Sequence, residues 1–131
     1  MKKQLNKNLI ERFSRQIVLK NVGILGQKKI LLAKVLVVGA GGLGCSVVDF
    51  LTRAGIGALG IVDYDKVSLS NLHRQSLYEK NDIGKSKVLI IKKILNRINP
   101  NTKVQSYNLK LNKINFKKII NRYDYIIDGS D

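Results

Sequence analysis

A single cysteine, Cys45, occurs in the 131 residues. It has no partner for an internal disulfide, and a zinc site built from the chain's own cysteines is excluded. Zinc is therefore not expected in this chain, and a reducing, cytoplasmic setting fits. No uninterrupted apolar run approaches the ~20 residues that a membrane span needs. Nor does an apolar stretch follow the basic segment Met1–Asn8, so no signal peptide is read and no membrane partner is expected. Acidic residues are scarce, with 9 Asp and Glu against 24 Lys and Arg, a net charge of +15. Such a balance raises nucleic acid as a partner. The excess, however, is mostly lysine and is scattered along the chain. It travels with many asparagines and isoleucines, residues that share AT-rich codons. No aromatic residues interleave with the lysines as a stacking platform for single strands requires. Charge alone supports only sequence-independent phosphate contact, so no specific nucleic-acid partner is expected.

The chain is 44% hydrophobic, enough for the core of one domain of ordinary size. Residues 1–8, rich in Lys and Asn, are expected to be disordered. Leu9, Ile10, Phe13, Ile17 and Val18 recur at helical spacing and predict a helix over Leu9–Lys20. A second helix follows over Ile24–Leu32. From residue 34 to 131 the pattern alternates. Val35–Val38 is an apolar run before glycines and reads as a strand buried on both faces. Gly42–Ile56 reads as a helix stopped by Gly55 and Gly57. Leu59–Val62 is a second strand, and Val67–Glu79 an irregular loop with a helical turn. Gly84–Ile98 is the clearest helix, lined by Val88, Ile91, Ile94, Leu95 and Ile98 and ended by Asn99-Pro100. Lys103–Asn108 is read as a third strand, Ile114–Arg122 as a short helix and Tyr125–Ile127 as a fourth strand. This alternation predicts an α/β, Rossmann-like parallel sheet with helices on both faces and N-terminal helices before it, all in one domain over residues 1–131.

Gly39-Ala40-Gly41-Gly42-Leu43-Gly44 carries G-x-G-x-x-G between a strand and a helix, the context that the nucleotide-binding fingerprint requires. Glycine allows the tight turn and the close approach of backbone N–H groups to a ligand. The helix N-terminus beyond offers unpaired donors and a dipole that favours negative charge. Asp63, ending the next strand, can accept hydrogen bonds from ribose hydroxyls. The turn by itself does not separate ATP from a dinucleotide. Gly84-Lys85-Ser86 is not the tail of a P-loop, because Glu79 stands where that loop needs glycine. His73, the only histidine, reads as a loop residue, and Cys45 as a small packing residue.

Four segments, taken together, resemble one family. They are Arg12-Phe13-Ser14-Arg15-Gln16-Ile17, Gly39 to Gly44, Asp63 to Gln75 (Asp63-x-Asp65-x-Val67-x-x-Ser70-Asn71-Leu72-x-Arg74-Gln75), and Asp128-Gly129-Ser130-Asp131. Gly84-Lys85-Ser86-Lys87 lies between the last two. Their order and spacing are similar to those of the MoeB/ThiF family, bacterial relatives of the ubiquitin-activating enzymes, from about residue 11 onward. The resemblance implies an adenylyltransferase. Such an enzyme uses ATP and Mg²⁺ to adenylate the C-terminal glycine of a ubiquitin-like sulfur-carrier protein, for sulfur transfer in molybdenum-cofactor or thiamine biosynthesis. It implies that Gly39, Gly41, Gly42 and Gly44 form the nucleotide turn, that Asp63 binds ribose, and that Ser70, Asn71, Leu72, His73 and Arg74 form the nucleotide-contacting loop. Arg74 and Lys87 would reach phosphates, Asp131 would hold Mg²⁺, and Arg15 would cross from the other subunit of a homodimer. Arg15, Arg74, Lys87 and Asp131 are thus the expected catalytic set. Cations there would offset the repulsion between an attacking carboxylate and a phosphate. No general base is needed, because a carboxylate is ionised at neutral pH.

The family continues past the position of Asp131, so the chain is expected to be a truncated, N-terminal half. Two other readings remain open at this point. An NAD-binding oxidoreductase domain would use the glycine turn but leave Arg15, Arg74 and Lys87 without a role. A non-catalytic fragment would bind a partner through its open sheet edge and no nucleotide.

Overall fold

The computed structural model describes residues 4–131. The N-terminal segment holds three helices, α1 (Lys7–Arg12), α2 (Ser14–Ile17) and α3 (Gly23–Leu32). Of the segment expected to be disordered, residues 1–3 lie outside the described residues. For residues 6–8 the expectation is corrected, since Asn6 caps α1 by accepting from the Leu9 N–H at 2.9 Å, and Lys7 and Asn8 lie in its first turn. The single helix expected over Leu9–Lys20 is also corrected. It breaks at Phe13, whose backbone leaves helical values (φ −104°, ψ 14°). Phe13 is only 2% exposed, and its ring lies against Gly55, so a distant contact overrides the local spacing.

The alternating part runs β1 (Lys34–Val38), α4 (Gly42–Ala54), β2 (Ala58–Val62), α5 (Lys87–Ile98), β3 (Lys103–Tyr107), α6 (Phe116–Ile120) and β4 (Tyr125–Asp128). Gly55, in the left-handed region, ends α4. Helix α5 starts three residues later than its apolar spacing suggests. Gly84 has φ +85°, and the Gly84 N–H and Lys85 C=O both pair with Val67, holding the segment as a turn.

All four strands are parallel, in the order β3-β2-β1-β4. The chain steps outward from β1 to β2 to β3, then returns to the far side of β1. Right-handed crossovers put the helices of the outward steps on one face and the helix of the return on the other. Strand alternation matches this. Val35, Val37, Leu59 and Ile61 point into the larger core with Val48 of α4 and Val88, Ile91 and Leu95 of α5. Leu36 and Val62 point the opposite way, against Ile119 of α6 with Tyr107 and Tyr123. The Rossmann-like sheet with helices on both faces is the fold expected above. No helix among the described residues is long and apolar enough to cross a membrane.

The N-terminal helices dock at the end of the sheet where α4 and α5 terminate. Arg12 donates to the Ile98 carbonyl at 2.8 Å. Gln16 and Gln27 both donate to the Ala54 carbonyl, at 3.1 and 3.0 Å, and Gln16 also donates to Gln27 Oε1 at 2.7 Å. Last-turn carbonyls of a helix have no intrahelical donor, and these side chains supply the missing donors.

Candidate nucleotide-binding site

Strands β2 and β4 flank β1, and the chain reverses its direction across the sheet there. In an open α/β sheet the crevice beyond the carboxyl ends of the strands at such a reversal is where ligands bind. A cleft of about 890 Å³ opens at this place. Gly39, Gly41 and Gly42 wall it after β1, Asp63 and Asp65 after β2, and Gly129, Ser130 and Asp131 after β4; Asn71, Arg74, Gln75 and Lys87 close the remaining side.

The glycine turn is shaped by close approaches. Gly39 has φ +97°, and a Cβ there would lie 2.7 Å from the Gly129 carbonyl oxygen, so the loops after β1 and β4 touch through bare backbone. A Cβ on Gly44 would run into the Gly39 carbonyl oxygen. Gly44 therefore packs α4 onto the turn and does not line the cleft, whereas the other three glycines do. The N-cap of α4 is Gly41, which has no side chain to bond the first N–H groups. These donors and the helix dipole make that end attractive to an anion.

Ala40 is held from three sides. Its N–H donates to Asp63 Oδ2 at 2.7 Å. Its carbonyl accepts from the Tyr78 hydroxyl at 2.6 Å and from Cys45 Sγ at 3.7 Å. Burial pushes the Cys45 thiol up from its ordinary value, and burial likewise pushes the Tyr78 phenol up, so both stay protonated and donate. Cys45 is fully buried, the packing residue expected of it.

Asp63 also accepts from the Asp65 N–H at 2.7 Å. Each carboxylate oxygen thus takes one backbone donor, and each keeps a further acceptor site for a ligand hydroxyl. Lys87, the first residue of α5, is 4% exposed, and its ammonium lies 3.6 Å from Asp65 Oδ2. A cation in the first helical turn opposes the dipole, and the anion that holds it is Asp65. The Arg74 guanidinium donates to the Ser70 carbonyl at 3.0 Å. Neither Asp65 nor Glu79 pairs with it among the described residues. On the third wall, Asp128 accepts from the Ser130 hydroxyl and N–H, which hold its carboxyl below the usual range. That turn carries Asp131 into the cleft lining.

The other expected site residues shape the loop, pack in the core or lie elsewhere, and only Asn71 among them also reaches the cleft. In the loop before Arg74, Ser70 Oγ pairs with Ser68 Oγ, and Asn71 Oδ1 accepts from the Ser68 N–H at 3.0 Å, so these two shape the loop. Leu72 packs against the larger core, and His73 is exposed in a turn. Of Ser70 to Arg74, only Asn71 and Arg74 line the cleft. Arg15 is exposed on α2 and does not line the cleft of its own chain. Its helix docks on the far ends of α4 and α5, roughly 20 Å away at 1.5 Å per residue of α4.

Among the residues of the site that sequence reasoning missed are Asp65, Gln75, Tyr78 and Lys110. Gln75 is 3% exposed, and its Oε1 has no hydrogen-bond partner among the described residues. The signal for Tyr78 was an aromatic with a hydroxyl closing an otherwise irregular polar loop. No group of three or more His, Cys, Asp or Glu able to hold a metal occurs among the described residues. A divalent cation here would rest on Asp131 together with oxygens of a bound ligand, the arrangement Mg²⁺ favours.

A glycine turn, a helix N-terminus, a carboxylate at the end of β2 and cleft cations meet at the reversal of a parallel sheet, the arrangement of the nucleotide-binding α/β class. The sequence matches the ThiF family over residues 13–131, and the chain belongs to that family. It is 43% identical over 125 residues to the sulfur carrier protein adenylyltransferase of Thermus thermophilus, a match covering 95% of this chain and 46% of that protein. It is 47% identical over 120 residues to a probable molybdopterin-synthase adenylyltransferase of Porphyra purpurea, covering 92% and 31%. The fold also superposes on the E. coli tRNA N6-threonylcarbamoyladenosine dehydratase TcdA in complex with ATP, at TM-score 0.89 and 26% identity, covering 98% of this chain and 52% of that one. The chain thus spans about half the length, or less, of the relatives it matches.

Proposed function

We propose that this chain is the nucleotide-binding part of an ATP-dependent adenylyltransferase. Its substrate on this reading is the C-terminal glycine of a ubiquitin-like sulfur carrier, in molybdopterin or thiamine synthesis. The observation that carries the reading is the convergence of Asp63, Arg74, Lys87 and Asp131 on one cleft beside the glycine turn. The oxidoreductase reading gives Arg74 and Lys87 no role, whereas adenylation of a carboxylate uses both. The names of the relatives support the same chemistry, and those of the molybdopterin-synthase type favour the molybdenum branch.

In this reading Asp63 accepts from the ribose hydroxyls, and the N–H groups at Gly41 and Gly42 face the phosphates. The carrier's carboxylate oxygen attacks the α-phosphorus. An acyl–O–P bond forms as the bond to pyrophosphate breaks, and the pyrophosphate leaves with the electron pair. Arg74 grips phosphate oxygens as a fork and Lys87 as a point charge. Asp131 would hold Mg²⁺, which would supply charge neutralisation on the departing phosphates. Arg15 does not line its own cleft, and on this reading it serves the cleft of a second copy in a homodimer, as the family resemblance implies.

Titration of the chain with Mg-ATP and with NADH, each against the other, tests the reading. Mg-ATP is expected to bind and to resist displacement by NADH. NADH winning supports the oxidoreductase alternative, and binding of neither leaves the non-catalytic fragment.

A further inference from the structure

Helix α2 is four residues long, with no buried residue and no side-chain cap. A helix so short does not hold itself, because nucleation costs more than its few backbone bonds return. Its direction must come from tertiary contacts. Among the described residues, Gln16 is the one side chain of α2 that hydrogen-bonds, donating to Gln27 Oε1 at 2.7 Å and to the Ala54 carbonyl at 3.1 Å. Gln27, on α3, is fully buried and donates to the same carbonyl at 3.0 Å. Its amide thus joins three helices, with the acceptor on α2 and a donor on the end of α4. A desolvated amide is costly unless its groups are paired, and a paired buried network fixes one arrangement. Apolar packing is non-directional and would let α2 roll on its neighbours, whereas hydrogen bonds have a preferred angle. Arg15 precedes Gln16, is exposed and forms no ion pair among the described residues. Neighbouring helical side chains point about 100° apart, so tying Gln16 inward sets where Arg15 points.

From this we infer that Gln27 is a positioning residue, which through Gln16 fixes the direction in which α2 presents Arg15 to the cleft of a second copy. The inference rests on the reading of Arg15 given above and adds to it a buried residue that no nucleotide touches. Gln27 does not line the cleft. Its effect on a phosphate-bearing ligand therefore has two routes. One is the aim of Arg15. The other is a shift of α4, whose far end carries the glycine turn. Only the first depends on Arg15 and on the presence of phosphates.

Calorimetric titration with Mg-ATP and with adenosine tests this on the full chain, in Gln27→Leu, Arg15→Ala and the double variant, below the melting point of each. Arg15→Ala is expected to bind Mg-ATP about tenfold more weakly, and Gln27→Leu about fivefold more weakly. In the Arg15→Ala background, Gln27→Leu should add less than about twofold, because the side chain it aims is gone. Adenosine, which carries no phosphate, should bind all three variants within about twofold of wild type. Gln16→Leu, at the half-buried end of the pair, should repeat the pattern, and it replaces Gln27→Leu in the cycle if that variant does not fold. An equal loss from Gln27→Leu in both backgrounds, or a parallel loss of adenosine affinity, assigns Gln27 to the shape of α4 and overturns the inference. Mg-ATP affinity of Gln27→Leu within twofold of wild type, with Arg15→Ala weakened, also overturns it and leaves the reading of Arg15 standing. Mg-ATP affinity of Arg15→Ala within twofold of wild type removes the reading of Arg15, and the inference with it.

Discussion

Lys87 and Arg74 reach the same cleft in different states. Lys87 is buried and held by Asp65, whereas Arg74 is exposed and restrained only by a carbonyl of its own loop. A buried point charge loses most when its partner or ligand changes, because the surroundings screen it little. Replacing Lys87 by Ala is expected to weaken Mg-ATP binding by at least about tenfold, ~1.4 kcal/mol. Part of that loss arises because Asp65 would then face the phosphates without a counter-ion. The double variant Lys87→Ala, Asp65→Asn should therefore recover affinity over Lys87→Ala alone, as measured by calorimetric titration; a further loss would show that Asp65 binds the ligand or its metal. Sequence spacing located Lys87 at a helix start but not its burial. Burial depends on the turn at Gly84 and on the pairing of Lys85 with Val67, which bring residues 65 and 87 together.

At the scale of elements, the motif around Arg15 acts largely as a clamp. Arg12 and Gln16 bond the last carbonyls of α5 and α4, and Phe13 lies on Gly55. Gly55 has φ +91°, and a Cβ there would come within 2.5 Å of the Phe13 ring. Gly55→Ala is expected to destabilise the chain by about 2 kcal/mol or more, from the left-handed backbone penalty and the clash together. Urea unfolding measures the loss. The clash component should vanish in the Phe13→Ala background, so the two substitutions should be non-additive. Most helices and all four strands were legible from apolar period and glycine stops. The break between α1 and α2 was not, because helical spacing continues through it and only the contact with Gly55 opposes it.

For the molecule as a whole, the core and the site share one set of buried groups. Cys45 and Tyr78 both hold Ala40, and burial raises both acids above their ordinary values near 9.0 and 10.0. The folded state therefore keeps protons that the unfolded chain releases as pH rises. Stability from these groups is fully present below the unfolded values and falls as pH rises through them. The urea midpoint is expected to drop between pH 8 and pH 10.5. The drop should be smaller in the Cys45→Ala, Tyr78→Phe double variant; an equal drop would assign the effect to other groups. Because the same two side chains shape the glycine turn, loss of global stability and loss of the cleft should coincide.

The alternation of strands and helices, the glycine turn and the candidate cations were determined by the sequence itself. Periodicity, turn sterics and residue chemistry act over a few neighbouring positions and can be read there. The order of the strands was decided only in the tertiary structure. So were the burial of Lys87, the three-sided grip on Ala40, the unpaired amide of Gln75 and the placement of Arg15 away from its own cleft. Each depends on residues tens of positions apart meeting across a right-handed crossover, and no local pattern encodes which distant partners will meet.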